Sequence, residues 1–282
     1  MEPLSFQRLA EGVKDDTLLP SLPAAVLAAQ RLVNNPESSI NQIASLLEAD
    51  PSMTLKLLKV ANSAYYGMRR RIDSIVTALI VLGLRTTNQL LQTVGIISAF
   101  SGRVEPDFLQ DLTSRSVLVA MACSVIADVA GSRFNGVEYT AGLLHDMGHA
   151  AIHVIAPQHA GLLKEMGDPF TMGCEKEQAL IGADHCQVGK LLAEAWGLPD
   201  IVAECMATHH RSLDGDKKLT IPGLVRFAVY LTPCLAREEP GETAHVPLPE
   251  GHFASALSLD DILHAVKDRL DEVGEIKDLL IS

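Results

Sequence analysis

The sequence predicts an all-α protein, and three observations carry that expectation. The apolar content is mostly Ala, Leu, Val and Ile, with aromatics at only 4%, a composition that favours helices over sheets. Apolar residues recur at steps of three and four through most segments, which is the spacing of one helical face. Pro, Asn and Gly punctuate these runs at positions where helices start or stop, and strands are hard to place anywhere.

The first half reads as a series of short helices. Ala24 to Val33 follows a Pro20-x-x-Pro23 entry and ends at Asn34, Asn35 and Pro36. Ser39 precedes a run with Ile40, Ile43, Ala44 and Leu47 on one face. Asp50-Pro51 opens the next helix, with Asp as cap and Pro as first residue. That helix carries Met53, Leu57, Val60 and Ala61 on one side and closes at Asn62-Ser63 and Gly67. Asp73 or Ser74 caps a helix through Leu82, which Gly83 stops, and Arg85 to Phe100 forms another. The polar segment Ser101 to Asp107 contains Gly and Pro and is the candidate boundary between two lobes.

The second half is also helical. Phe108 to Ala130 is a long apolar-faced helix, Tyr139 to Ile155 a second ended by Pro157, and Lys176 to Trp196 a third. Asp200 to His210 and Leu219 to Ala236 follow. Glu238 to Gly251 carries Pro240, Pro247 and Pro249 and reads as irregular. The tail from Leu259 to Leu280 bears one apolar stripe through Ile262, Leu263, Val266, Leu270, Val273 and Ile276. Such a stripe packs on the protein's own core or forms a homodimer helix.

Bulk properties exclude several classes. With 282 residues, 48% hydrophobic and 21% charged, the chain can bury one large or two modest cores. A net charge of −12 repels phosphate backbones and disfavours nucleic acid as a partner. Arg69, Arg70 and Arg71 form the only tight basic run, which reads as a solvated loop before it reads as a nucleic-acid contact. The five cysteines, Cys123, Cys174, Cys186, Cys205 and Cys234, show no C-x-x-C spacing, which suits a reducing compartment. The amino terminus has no signal-peptide pattern. The apolar run Ile75 to Leu84 is too short to span a bilayer, and Val117 to Ala130 carries Ser124 and Asp128. A cytoplasmic protein without membrane attachment is expected.

Histidine and aspartate carry the chemical signal. Seven of ten histidines fall between His145 and His210. His145-Asp146 lies in a helical stretch, where adjacent side chains diverge by about 100° and can still reach one ion lodged between helices. Imidazole nitrogen with carboxylate oxygen suits a divalent transition metal. His185 follows Asp184, and His209-His210 ends a helix, so several helices could aim nitrogens into one bundle core. The bland readings are a histidine pair against a negative helix end and buried histidines bonded to carbonyls. No phosphate-binding glycine loop or nucleophile elbow is present.

The order of longer motifs is specific. LPSLP stands at Leu19 to Pro23, LLEADPSMTLKLLKVANSAYYG at Leu46 to Gly67, and SIVTALIVLGL at Ser74 to Leu84. GLLHDMGH follows at Gly142 to His149, EQALIGADHCQVGKLLAEAWGLP at Glu177 to Pro199, and then His209-His210. Together they resemble the HDOD family of bacterial signalling domains, relatives of the HD and HD-GYP metal phosphohydrolases. The resemblance implies a two-lobed helical domain over 18–236, with an amino-terminal lobe at 18–100 and an HD-like lobe at 107–236. The segment 237–282 would add an irregular stretch and an amphipathic helix. The resemblance also implies a metal set of His145, Asp146, His185, His209 and His210. Two flanking ligands of the enzymes are replaced: the early histidine aligns with Arg115 and the late aspartate with Val229, and no GYP loop stands near Pro169.

These replacements remove two ligands and bring a positive charge that could pair with Asp146 or hold an anion. The expectation is a non-catalytic regulatory module that works through a protein partner or a ligand, with no required cofactor and at most a weakly bound divalent metal. The competing reading is a divergent metal phosphohydrolase in which His149 or Glu177 supplies replacement ligands. Asn62, Tyr65 and Tyr66 mark either a second site of interest or a helix cap that packs the lobes.

Overall fold

The computed structural model describes residues 5–15, 18–19, 24–33, 35, 37–62, 68, 70–165, 167, 170, 173–235 and 248–268. Among these residues the chain is helical with no β-strand. It divides into two compact units: Leu22–Ala99 with Lys267–Ser282, and Met1–Ser21 with Phe100–Val266.

The smaller unit contains α2 (Ala24–Val33), α3 (Ile40–Glu48), α4 (Pro51–Ala61) and most of α5 (Ile75–Phe100). Local chemistry fixes the starts of α3 and α4. Ser39 and Gln42 form a reciprocal capping box on α3, and the Asp50 carboxylate accepts the Met53 N–H to open α4. Gly83 interrupts α5 with φ 74 and ψ 161, a backbone region open to glycine alone, so the expected stop becomes a kink within one long run. The apolar faces close into a core around Ile43, Leu57, Val60, Ile75, Leu79 and Leu91. Asn62 fastens the end of α4 by accepting the Ile72 N–H and donating to the Ile72 carbonyl, both at 2.7 Å. Asn62 thus acts as a cap. Arg69, Tyr65 and Tyr66 lie outside the described residues.

The larger unit begins with α1 (Phe6–Val13), which the sequence reading did not place, although Ser5 caps it. It continues with α6 (Pro106–Val129), α7 (Val137–Leu144), α8 (Gly148–Ile155), α9 (Pro157–Glu165), α10 (Cys174–Ile181), α11 (His185–Ala195), α12 (Asp200–Thr208) and α13 (Ile221–Leu235). A 3-10 turn at Phe253–Ala256 and α14 at 259–268 follow. Helix α6 is long and apolar enough to cross a membrane by length and composition, but 72% of its most apolar window is buried in the protein. It is the core helix of this unit. Ile262 and Val266 of α14 are buried, so that part of the tail stripe is taken up by the chain's own core. The rest of the stripe, and most of the Pro-rich segment, lie outside the described residues.

Two expected helices are broken, and both breaks serve the site. The stretch Tyr139 to Ile155 splits at His145–Met147, where the Met147 N–H bonds the Leu144 carbonyl in a tightened turn. His145 therefore caps α7 and does not lie within a helix. The stretch Lys176 to Trp196 splits after Ile181, because Gly182 ends α10 at φ 73 and Asp184 opens α11 with a capping box to Gln187. Pro157 ends α8 as expected, yet it also starts α9, since proline is well suited to a first helical position.

Candidate metal centre

Close helix packing sets the centre. A Cβ on Gly142 would come within 2.7 Å of the Ala120 backbone, so α7 lies directly on α6. A Cβ on Gly148 would overlap the His185 carbonyl. The backbones of α8 and α11 therefore touch at the point where Asp146, His149 and His185 meet.

Three of the histidines, His145, His185 and His209, are held by one ring nitrogen. His145 Nδ1 lies 2.7 Å from the Gly142 carbonyl, and His209 Nδ1 lies 3.0 Å from the Met206 carbonyl. His185 Nδ1 lies 2.6 Å from Glu177 Oε2, which also accepts the His185 backbone N–H at 2.9 Å. Carbonyl and carboxylate oxygens accept only, so these Nδ1 atoms carry hydrogen, which in a neutral ring leaves Nε2 the lone pair. A ligating histidine is oriented in this way by its second nitrogen.

The free ends converge on Asp146. Its Oδ1 stands 3.5 Å from His149 Nε2, 3.5 Å from His185 Nε2 and 3.6 Å from His209 Nε2. His185 Nε2 and His209 Nε2 face each other at 3.2 Å. Asp146 Oδ1 is buried and makes no hydrogen bond, and Glu177 Oε1 is in the same condition 3.6 Å from His149 Nδ1. Two imine lone pairs facing each other beside a carboxylate oxygen repel unless a proton or a cation sits among them. Burial pushes the Asp146 pKa up, but the surrounding histidines, His149 first, hold its carboxyl well below the usual range. Burial drives His149 well below its ordinary value and His145 down to about 4. His185 is pushed up to about 9, because Glu177 and Asp146 outweigh the effect of its burial.

The donor set fits a divalent first-row cation. Ligand atoms of Asp146, His185, His209 and His210 all lie within 4.8 Å of one another, and those of His149, Glu177 and His185 form a second such group. Four of the five sequence-derived ligands thus come together. His145 sits edge-on to His209 with ring centroids 4.9 Å apart. The Arg115 guanidinium lies 4.8 Å over the Phe170 ring, and Phe170 meets His149 edge-on at 5.4 Å. Val229 lines a pocket of about 340 Å³ with His209, His210, Arg226 and Tyr230. Cys174 and Cys186 also reach this region, with their sulfurs 3.8 Å apart. The sequence does not pair them, because a separation of twelve positions matches no metal-ligand spacing.

The profile of the HDOD domain matches residues 19–212. The chain belongs to the HDOD family. An uncharacterized protein of Treponema pallidum (strain Nichols) is 28% identical over 207 residues, covering 72% of this chain and 39% of that protein. This HDOD chain therefore spans about two fifths of the length of that relative. The crystal structure of an HDOD domain protein from Geobacter sulfurreducens matches with a TM-score of 0.72 and 26% identity, over 97% of each chain. A Shewanella amazonensis SB2B protein, named as a candidate phosphohydrolase, shares the fold with a TM-score of 0.72 at 21% identity, over 97% of this chain and 98% of that one.

Proposed function

We propose that this HDOD protein is a regulatory module without hydrolytic turnover, whose larger unit keeps the remnant of a phosphohydrolase metal centre. Asp146, His185, His209 and His210 would hold a divalent cation, with Glu177 orienting His185. Such a cation would supply local positive charge and tie α8, α11 and α12 together. The observation that carries the reading is Val229, an apolar side chain in the pocket beside His209 and His210, at the position that the motif resemblance aligns with the enzymes' late aspartate. A hydrolytic centre must hold its ion and also leave room for an activated water, and each lost ligand weakens that arrangement. The second support is Arg115, which the motif resemblance aligns with the early histidine of those enzymes and which stacks on Phe170. Regulation would then proceed through a protein partner or a small ligand, in the cytoplasm.

The test uses protein purified without a metal-affinity tag. Manganese titration is expected to show a bound cation that Asp146→Ala abolishes. No hydrolysis of a nucleotide, a cyclic dinucleotide or a generic phosphodiester is expected with added manganese or iron. Metal-dependent turnover that disappears in His145→Ala would sink the proposal. It would favour the divergent phosphohydrolase instead, for which the His149, Glu177 and His185 group offers replacement ligands.

A further inference from the structure

Cys174 is the first residue of α10 and Cys186 the second of α11. Both sulfurs therefore sit in first helical turns, where unpaired N–H groups and the helix dipole favour negative charge. The contact with Cys174 and burial push the Cys186 thiol up, so a bound cation would have to displace its proton. Cys174 Sγ and Cys186 Sγ are 3.8 Å apart, and Cys186 Sγ is 3.5 Å from His185 Nε2. The ligand atoms of Cys174, Cys186 and His185 all lie within 4.8 Å of one another. A tetrahedral zinc with Zn–S of about 2.3 Å and Zn–N of about 2.0–2.1 Å has S···S edges of about 3.8 Å and S···N edges of about 3.5 Å. The Cys174–Cys186 and Cys186–His185 distances match those edges. Cys186 Sγ also lies 3.8 Å from His209 Nε2, and thiolates select softer cations than carboxylate oxygens do.

We propose that Cys174, Cys186 and His185 form a second cation position, one that takes zinc. His185 has a single free nitrogen, because Nδ1 is committed to Glu177. The thiolate position and the Asp146 position therefore compete for His185 Nε2. A harder cation such as manganese would occupy one and zinc the other, so metal identity would decide which helix pair is drawn together. This inference uses the two sulfurs, which the functional reading above does not need.

Cobalt(II) is the probe, added at one equivalent to the reduced full chain. A thiolate-to-cobalt charge-transfer band in the near ultraviolet is expected. It should vanish in Cys174→Ser and in Cys186→Ser and persist in Asp146→Asn. Zinc affinity should fall in Cys174→Ser by more than the roughly 100-fold that loss of an orienting partner costs. Cys174 is half-buried, and circular dichroism checks that its variant folds. Absence of the band in the wild type, or its survival in either serine variant, overturns the proposal. Loss of the band in Asp146→Asn also overturns it, by assigning the sulfurs to the family centre. Manganese binding with no sulfur band would leave the functional reading standing alone.

Discussion

At the scale of single residues, the most informative contacts are those a side chain makes with its second polar atom. Glu177 is fully buried, yet one of its oxygens takes both the backbone and the ring N–H of His185. Glu177→Gln leaves the shape almost unchanged and weakens that hold. Divalent-cation affinity at the centre is expected to fall about 10- to 100-fold, read by isothermal titration. His252 supplies a pH-dependent contact away from the centre. Its Nδ1 accepts the Ala254 N–H at 3.1 Å, and burial lowers its pKa from 6.5. A histidine with a lowered folded pKa stabilises the fold fully above about pH 6.5 and loses that contribution as pH falls towards the folded value. His252→Gln should therefore cost stability at pH 7.5 and cost less at pH 5. Urea melts of both proteins at the two pH values measure the difference, and an equal cost at both would refute it. Asn62 was legible as a helix end from its place after an apolar helical run. Its grip on Ile72, ten residues away, was not, because no local pattern encodes a contact with a later loop.

At the scale of elements, the helices follow from local chemistry, and their breaks follow from packing. The starts of α2, α3 and α4 were readable from Pro, Ser39 and Asp50-Pro51, because caps act within four residues. The interruption at His145–Met147 carries no proline and no helix-breaking pair. It exists because Gly148 presses onto the His185 carbonyl, a partner thirty-seven positions later. Gly148→Ala is expected to destabilise the protein by about 1–3 kcal/mol or more, since an inserted methyl meets the backbone of α11 at His185 and Gly189. It should also disturb the cation site, since Asp146 and His149 flank that position. A thermal melt with and without manganese reads both effects, and an unchanged melting temperature would count against the close approach. The failure to pair Cys174 with Cys186 has the same origin. Their proximity depends on how α10 turns into α11 at Gly182, which sequence spacing alone cannot report.

At the scale of the whole molecule, each compact unit has its own buried core, and the candidate metal centre belongs to the larger one. Leu91 is fully buried in the core of the smaller unit. Leu91→Ala should cost about 2–5 kcal/mol, and amide exchange should accelerate through α3 and α4 of that core. Unaltered exchange there would argue against a shared core. The helical class, most helix starts and the family are legible in the chain itself, and so is the candidate group His145, Asp146, His185, His209 and His210, four of which lie together in the fold. Periodicity, caps and long motifs are local properties, and a linear chain displays them directly. Only the tertiary structure decided which nitrogens face one another, that Asp146 Oδ1 is left without a hydrogen bond, that Glu177 holds His185, and that two cysteines twelve residues apart meet beside it. Those facts depend on the approach of backbones at Gly142 and Gly148 and on the turns at His145 and Gly182, where packing between distant segments overrides local preference.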